Sequence, residues 1–356
     1  MFATERLLDV GTCAATATGM PKNSTLLFLV AAAASGCALA EDTLETANTS
    51  SEENVWQWTD DGPITAQTSP YQPGLAPFAS RLHMAYRGND NANIYITRFD
   101  GTSWSSATQV PNQLAEYGPA LTVFDNRLTM MYHASGQNRL VMTTSTNGTT
   151  WSSPVTAGTS IGTSTIRYAP AITVHQGSLY AAYCKQLSSG AEKVHLDRFD
   201  GASWSSIVDF AVPVNVDSFN CKHIAIATLP NGRLDIVYTV AYPNPFCSGS
   251  DCWRMYEVSG FGTPSSSWIP KLMTMKSKKP PSIVSCGTTT HLVHGGYSTP
   301  DEMWWSFWNG SSWSANVKVP DRMSGGGAAL GCYQGTRAVM VHNGVAPQLS
   351  WSEYGL

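Results

Sequence analysis

Side chains that could bind a sugar recur at corresponding places along this chain, at the ends of short apolar segments. Tyr117 and Tyr168, for example, stand directly before the pairs Gly118-Pro119 and Ala169-Pro170. Tyrosine and histidine rings can stack on the apolar face of a sugar, and arginine can donate hydrogen bonds to its hydroxyl groups. The residues predicted to bind glycans are Tyr71, Arg87, Tyr117, His133, Arg167, Tyr168, His294, Tyr297 and His342.

The elements that must position these residues form a pattern that repeats from Pro73 onward, at intervals of about 40 to 60 residues. Each copy contains two strand-turn-strand pairs, and apolar and polar positions alternate in RLHMAYR (81–87) and RLTMMYH (127–133). Such alternation is typical of strands, and no helical stripe of comparable length competes with it. The pattern predicts an all-β fold, a six-bladed β-propeller.

A turn signal and a tryptophan recur in four of the copies. The turn is an Asp-Gly or Asn-Gly pair, which favours the positive φ of a tight turn, and the tryptophan follows three residues after the glycine. Since this large ring recurs at one place per blade, we expect it to pack between neighbouring sheets rather than to bind a ligand. The predicted structural turn residues are Asp100, Gly101, Trp104, Asn147, Gly148, Trp151, Asp200, Gly201, Trp204, Asn309, Gly310 and Trp313.

The sixth copy is incomplete, because residues 327–356 supply only three strands. The segment Asn54–Trp58 matches the outer strand that is missing. An open ring would expose sheet edges, so we expect the N-terminal strand to pair with the C-terminal one and close the propeller.

The segments FDGTSWS, TNGTTWS, FDGASWS and WNGSSWS resemble the Asp-box turns of sialidase-like propellers. The Asp-box of that family has one more residue between the aspartate and the glycine. The repeats are therefore closer to the F-D-G-x-x-W-S units of propeller lectins similar to bacterial fucose-binding lectins. The resemblance covers residues 54–356. It implies a ligand face built from the loops that lead into the first strand and out of the second strand of each blade, where the predicted glycan-binding residues lie.

Three functions are compatible with this resemblance. A non-catalytic lectin is preferred, because the loops of the ligand face are rich in tyrosine, histidine and basic residues and poor in carboxylates. A sialidase-like glycoside hydrolase is the alternative, and a protein-binding surface scaffold is a second one. Tyr117 and Tyr168 also have a purely structural interpretation, in which they pack the mouth of the central channel.

A sialidase-like site would need three arginines, a tyrosine nucleophile and two carboxylates. The F/Y-R-I-P run that carries one such arginine in that family is absent, since Gly74–Phe78 contains no arginine. No spacing supports the one set that could formally supply these groups, which is Arg87, Arg167, Arg322, Tyr297, Asp90 and Glu302. No catalytic residue is therefore assigned.

The composition and motifs of the chain limit the classes of partner and cofactor that it is expected to bind. Charged residues make up 13% of the 356-residue chain, and no stripe of lysine or arginine indicates a nucleic-acid partner. No metal or cofactor is predicted, because the chain has no CxxC pair, phosphate-binding loop or His-Glu-x-x-His run. His291 and His294 lie on opposite faces of one strand, which disfavours joint metal binding. The expected partners are glycans or glycoconjugates.

The start of the chain indicates export. Met20 opens a segment in which Lys22 precedes an apolar run that ends at Ala38-Leu39-Ala40, as in a secretory signal. Residues 1–40 are predicted to be an over-extended start plus this signal, 41–53 an acidic disordered tether and 54–356 the propeller. Residues 34–37 resemble a degenerate lipobox, so Cys37 is either lipidated or removed with the signal. The expected location is outside the cell or anchored at the bacterial cell surface, with membrane contact only through a lipid at Cys37.

Six cysteines remain in the propeller, an even number that favours disulfides in an exported protein. The repeat suggests the pairs Cys247–Cys252 and Cys184–Cys221, ranked above Cys286–Cys332. Zinc binding is the alternative, which the spacing of these cysteines disfavours.

Overall fold

A computed structural model describes residues 57–59, 62–159, 164–210, 220–242, 253–260, 268–299, 301–344 and 346–355. Within these ranges the regular structure is all β-strand, and no helix could cross a membrane. The predicted signal, the tether, Cys37, the Cys247–Cys252 pair and residues 54–56 lie outside the described residues.

Six antiparallel sheets form the blades of a β-propeller, which confirms the predicted fold. In blades 1 to 5 four consecutive strands follow one another, and the first strands of neighbouring blades contact each other around the central axis. The strands of blades 1 and 2 are β3 (Gly74–Phe78), β4 (Arg81–Arg87), β5 (Asn93–Phe99), β6 (Thr108–Leu114), β7 (Ala120–Phe124), β8 (Arg127–His133), β9 (Leu140–Ser145) and β10 (Val155–Ala157).

Blades 3 to 5 have the same order. Their strands are β11 (Thr165–His175), β12 (Ser178–Gln186), β13 (Glu192–Phe199), β14 (Trp204–Phe210), β15 (Asn220–Thr228), β16 (Leu234–Ala241), β17 (Trp253–Gly260), β18 (Lys271–Leu272), β19 (Ser282–Cys286), β20 (Thr289–Gly295), β21 (Glu302–Trp308) and β22 (Val317–Met323).

Blade 6 joins the two ends of the described chain. It consists of β23 (Ala328–Tyr333), β24 (Arg337–Asn343) and β25 (Gln348–Gly355), with β1 (Gln57–Trp58) and β2 (Gly62–Thr68) both paired to β25. The predicted ring closure is confirmed. The sequence repeat predicted an outer strand that ends at Trp58. In the structure the outer strand extends to Thr68, because β2 also pairs with β25.

The apolar core lies between neighbouring sheets. On β4 the alternate residues Leu82, Met84 and Tyr86 are buried toward blade 6, where Met84 and Tyr86 pack with Val341 and Leu349. The tryptophans that follow the turns border these cores. Trp104 packs at the seam of blades 6 and 1, and the others occupy corresponding places in their own blades.

The Asp-Gly and Asn-Gly turns are closed by their acidic or amide side chain. Asp100 Oδ1 accepts the backbone N–H groups of Thr102 and Ser103 at 3.0 and 2.9 Å, while Gly101 has φ near 109°. Asn147, Asp200 and Asn309 make the same pair of bonds in their blades.

Outer strands fasten some blades to the next through a bulge. Ala66, Asn112 and Asp321 have positive φ, and the residue after each one is buried against the following blade. The Gln67 amide donates to Thr97 Oγ1 and to the Ser105 carbonyl in blade 1. Gln113 repeats this contact in blade 2, and Arg322 donates to Ser352 in blade 6. The bulge turns a polar side chain out of its own sheet and into the next.

Two disulfides also join neighbouring blades. Cys184 in blade 3 pairs with Cys221 in blade 4, and Cys286 in blade 5 pairs with Cys332 in blade 6. Both pairs were predicted from the repeat, although Cys286–Cys332 was ranked last. Each bridge links first or second strands across a seam, so it restrains the blades relative to each other.

Candidate functional site

Three tyrosines meet at the mouth of the central channel. Tyr71 and Tyr117 precede the first strands of blades 1 and 2, and Tyr168 lies in the first strand of blade 3. The ring centroids of Tyr71 and Tyr117 are 5.7 Å apart and nearly perpendicular, and those of Tyr117 and Tyr168 are 5.8 Å apart. They line a cavity of about 330 Å³, which we call the tyrosine pocket.

All six blades contribute to the tyrosine pocket at corresponding positions. Besides the tyrosines of blades 1 to 3, its lining includes His223 from blade 4, Lys278 and Lys279 ahead of blade 5, and Gly325 and Gly326 ahead of blade 6. The pocket therefore lies on the propeller axis, where the repeat brings one residue per blade together. The sequence predicted the three tyrosines, whereas His223 and the two lysines were not among the predicted glycan-binding residues.

The backbone allows the tyrosines to approach one another closely. A Cβ atom at Gly118 would lie 1.9 Å from the Gln72 carbonyl oxygen, so only glycine fits after Tyr117. Tyr168 has φ near 61°, a left-handed conformation that is costly for a tyrosine and that recurs at binding sites. The Gln72 side chain crosses the axis and donates to the carbonyls of Pro281 and Ala328 in blades 5 and 6.

Basic side chains cover the outer faces of the aromatic rings. The Arg87 guanidinium lies 5.0 Å from the centre of the Tyr71 ring, and the Lys278 ammonium lies 4.6 Å from that of Tyr297. Lys222 Nζ donates to the Tyr168 hydroxyl at 2.7 Å. These contacts hold the rings in place and surround the pocket with positive charge.

Histidines near the pocket are held neutral. Burial, together with the charges of Lys222 and Lys279, lowers the pKa of His223 to about 3. His133 stacks on Tyr117 at 5.8 Å, and burial lowers its pKa as well. At neutral pH both rings are uncharged, and His133 Nε2 contacts the Gln137 carbonyl oxygen at 2.8 Å.

Carboxylates lie close to the tyrosine pocket, and burial together with the adjacent Glu116 raises the pKa of Tyr117. No aspartate or glutamate is among the described residues that line it. Asp301 pairs with Lys279 at 3.0 Å. Glu192 is buried, with Oε1 3.9 Å from Arg167 Nε, and burial raises the pKa of its carboxyl group.

Not all of the predicted glycan-binding residues meet at this pocket. His294 and Tyr297 line a separate cleft of about 270 Å³ between blades 4 and 5, beside Trp304. His342 is buried, and its Nδ1 lies 3.1 Å from the Met323 carbonyl oxygen. Tyr71, Tyr117 and Tyr168 line the tyrosine pocket, with Arg87 and His133 against their rings.

The arginine set of a sialidase-like site is not formed. Arg322 donates to Ser352 and to the Thr59 carbonyl in blade 6, away from Arg87, which donates to the Ala115 and Gly88 carbonyls. Arg167 donates to Gln186. Within the described residues no group of three or more histidine, cysteine or acidic side chains is placed to hold a metal ion.

Solved structures resemble this chain in fold, whereas no protein-family model and no curated protein matches its sequence. An α-L-arabinanase of Penicillium chrysogenum with bound arabinobiose aligns with a TM-score of 0.65 at 15% identity over 83% of this chain and 97% of its own. An α-L-arabinofuranosidase of Fusarium graminearum with arabinobiose gives 0.63 at 16% identity and the same coverage. A Hadza microbial sialidase gives 0.60 at 12% identity over 84% of this chain and 68% of its own. At such identities the likeness establishes the fold alone.

Proposed function

We propose that this protein binds a glycan in the tyrosine pocket. The observation that carries the proposal is the convergence of Tyr71, Tyr117 and Tyr168 on the propeller axis around a cavity of about 330 Å³. Their rings offer apolar faces for the C–H surface of a sugar. His223 and the lysines next to them supply hydrogen bonds to its hydroxyl groups, a mixture typical of a polar small-molecule site.

Glycoside hydrolysis is the second candidate function, and the comparisons favour it over the purely non-catalytic lectin that sequence reasoning preferred. The solved structures reported above are an arabinanase, an arabinofuranosidase and a sialidase. Two carboxylates lie next to basic residues near the pocket: Glu192 in blade 3 is 3.9 Å from Arg167, and Asp301 beside blade 5 is 3.0 Å from Lys279. A buried carboxyl group with a raised pKa, as at Glu192, is the usual state of a general acid.

A glycan array and a panel of fluorogenic glycosides test both candidates. Tyr117→Ala and Tyr168→Ala should each weaken glycan binding by about tenfold, which corresponds to the loss of one stacking contact. Tyr95→Ala is the matched control, because the half-buried Tyr95 lines a different cleft, in blade 1, and contacts none of the pocket residues named here. Equal binding by all three variants would contradict the site.

Turnover decides between binding and hydrolysis. If the protein is a hydrolase, Glu192→Gln should abolish release of the fluorophore while the variant still binds the glycan. Binding without turnover by the wild type would leave the lectin interpretation. A protein that binds no glycan but captures a defined protein partner would instead support the scaffold interpretation.

Export is proposed on the strength of the two disulfides that join the blades, since such bridges persist in oxidising compartments. Sequencing of the mature N-terminus and labelling with a radioactive fatty acid would test this. A mature chain that begins at Glu41 indicates a secreted protein, whereas label retained at Cys37 indicates a lipid anchor.

A further inference from the structure

We propose that the glycan taken by the tyrosine pocket is acidic, with a carboxylate or sulfate group held between Lys222 and Lys278. This inference rests on the proposed function, because it names the class of ligand for the same pocket. Lys278 lines the pocket, and Lys222 donates to the hydroxyl of Tyr168, which also lines it.

Lys222 and Lys278 differ from Lys279 in whether the ammonium group forms a salt bridge with a carboxylate. The Lys279 ammonium has a carboxylate partner in Asp301 at 3.0 Å and also donates to the Gly325 carbonyl. Lys222 donates to the Tyr168 hydroxyl, and its charge also acts on the buried carboxyl group of Glu192, which does not line the pocket. The Lys278 ammonium lies over the Tyr297 ring. Within the described residues neither ammonium forms a salt bridge of the kind that joins Lys279 to Asp301, and no acidic residue lines the pocket that they border.

His223 shows that the positive charge acts inside the pocket. Burial is the main reason that its pKa is lowered, and the charges of Lys222 and Lys279 lower it further. A site that keeps a histidine uncharged beside lysines favours an anion over a cation. Charge-assisted hydrogen bonds from ammonium groups to a carboxylate or sulfate are stronger than those to a neutral hydroxyl.

The tyrosines make a free inorganic anion an incomplete ligand. Tyr71, Tyr117 and Tyr168 present ring surface that a sulfate or phosphate ion alone would leave uncovered. An acidic sugar satisfies both features, because its ring can lie on a tyrosine while its acid group reaches a lysine. The acid group could be the carboxylate of a uronic acid or the ester sulfate of a sulfated sugar, and both have the same partners here.

Calorimetry on the full chain with matched saccharides tests the proposal. The probes are an oligogalacturonate, a sulfated galactan oligosaccharide, a neutral galactan oligosaccharide of the same length and inorganic sulfate. Lys222→Met and Lys278→Met should each lower affinity for an acidic probe by about tenfold, the equivalent of one charge-assisted hydrogen bond. Lys271→Met is the matched control, since Lys271 is exposed on an outer strand. Preference for one acidic probe identifies the acid group.

The outcomes separate this proposal from the proposed function. Equal affinity for the acidic and neutral probes, with Lys222→Met and Lys278→Met unchanged, would overturn the acidic class and leave glycan binding in place. No binding of any saccharide would overturn both. Binding of inorganic sulfate as tightly as of the sulfated probe would overturn the saccharide part. If a lysine variant fails to fold, the wild type decides, because its affinity for the acidic probe should fall as salt is raised while that for the neutral probe holds.

Discussion

Two interfaces between neighbouring blades contain buried ionisable groups, but they differ in the ratio of basic to acidic side chains. Between blades 2 and 3, the imidazole of His195 lies between the carboxylates of Asp197 and Asp209, and Lys185 Nζ is 2.8 Å from Asp209. Lys185 Nζ also lies 3.0 Å from His195 Nδ1, so two basic side chains and two carboxylates form one group, which we call the histidine cluster.

The seam between blades 4 and 5 has one cation for two carboxylates. Arg233 donates to Asp235 and, at 3.0 Å, to Glu257, and its guanidinium lies 4.1 Å from the centre of the Trp308 ring. Asp235 is fully buried, and its Oδ1 has no hydrogen-bond partner among the residues that the structure describes. We call these three charged residues the arginine cluster.

The two clusters differ in how they shift the pKa of a buried carboxyl group. Burial alone would raise the pKa of Asp197 and Asp209, but their hydrogen-bond partners outweigh it. His195, Thr159 and Tyr183 lower the pKa of Asp197, and Lys185 and His195 lower that of Asp209. At Asp235 burial and the nearby Glu257 outweigh Arg233, so its pKa is raised. The donors around each carboxyl group, rather than burial, therefore decide the sign of the shift.

The largest expected effect comes from removing one basic side chain from the histidine cluster. The cluster then has one basic and two acidic side chains, as the arginine cluster does. His195→Leu removes the imidazole that contacts both Asp197 and Asp209, and we expect a loss of about 4 kcal/mol in the free energy of unfolding at pH 7. Urea denaturation measures it. His175→Leu is the control, because His175 is equally buried and contacts Thr228 but no carboxylate within the described part of the chain. Equal losses in the two variants would show that packing, not charge, sets the stability of this seam.

Acid should weaken the histidine cluster. A carboxyl group with a lowered pKa in the folded state stabilises above its unfolded value of about 3.9, and that stabilisation is lost as the pH falls below it. We expect unfolding free energy to decline between about pH 4 and pH 2, by at most about 1.4 kcal/mol per pH unit for each proton taken up. Asp197→Asn should reduce this slope, and an unchanged slope would contradict the assignment.

A rise in pH should instead weaken the arginine cluster. A carboxyl group with a raised pKa contributes most below its unfolded value, and its contribution is lost as the pH rises through the folded value. Asp235→Asn removes this titration, so the variant should gain stability relative to the wild type between pH 4 and pH 8. Thermal unfolding across that range measures the gain. If the stability difference between the wild type and Asp235→Asn does not change with pH, the raised pKa of Asp235 is refuted.

The sequence predicts blades but not the contacts between them. The alternation in RLHMAYR and the recurring Trp104 and Trp204 reveal the strands, because these signals act within one sheet. Asp197 and Thr97 occupy the same place in their blades, and only the neighbouring sheet decides what each one meets. The tyrosine pocket was partly predictable for the same reason. Each tyrosine starts its own blade, whereas their convergence with His223 depends on the closure of the ring.

The smallest expected effect concerns a neutral hydrogen-bonded contact between blades. Gln67 and Gln113 follow a residue with positive φ in the related runs ITAQ and VPNQ, and each amide donates to a threonine and a serine carbonyl of the next blade. Gln67→Leu should cost only about 1 kcal/mol, because a neutral hydrogen bond is lost and no charge is left uncompensated. Gln109→Leu is the control at an exposed position of β6, where we expect a change within about 0.5 kcal/mol. Urea unfolding compares them with His195→Leu. A loss at Gln67 as large as that at His195 would mean that the outer-strand bulge holds the blades together more strongly than buried charge does.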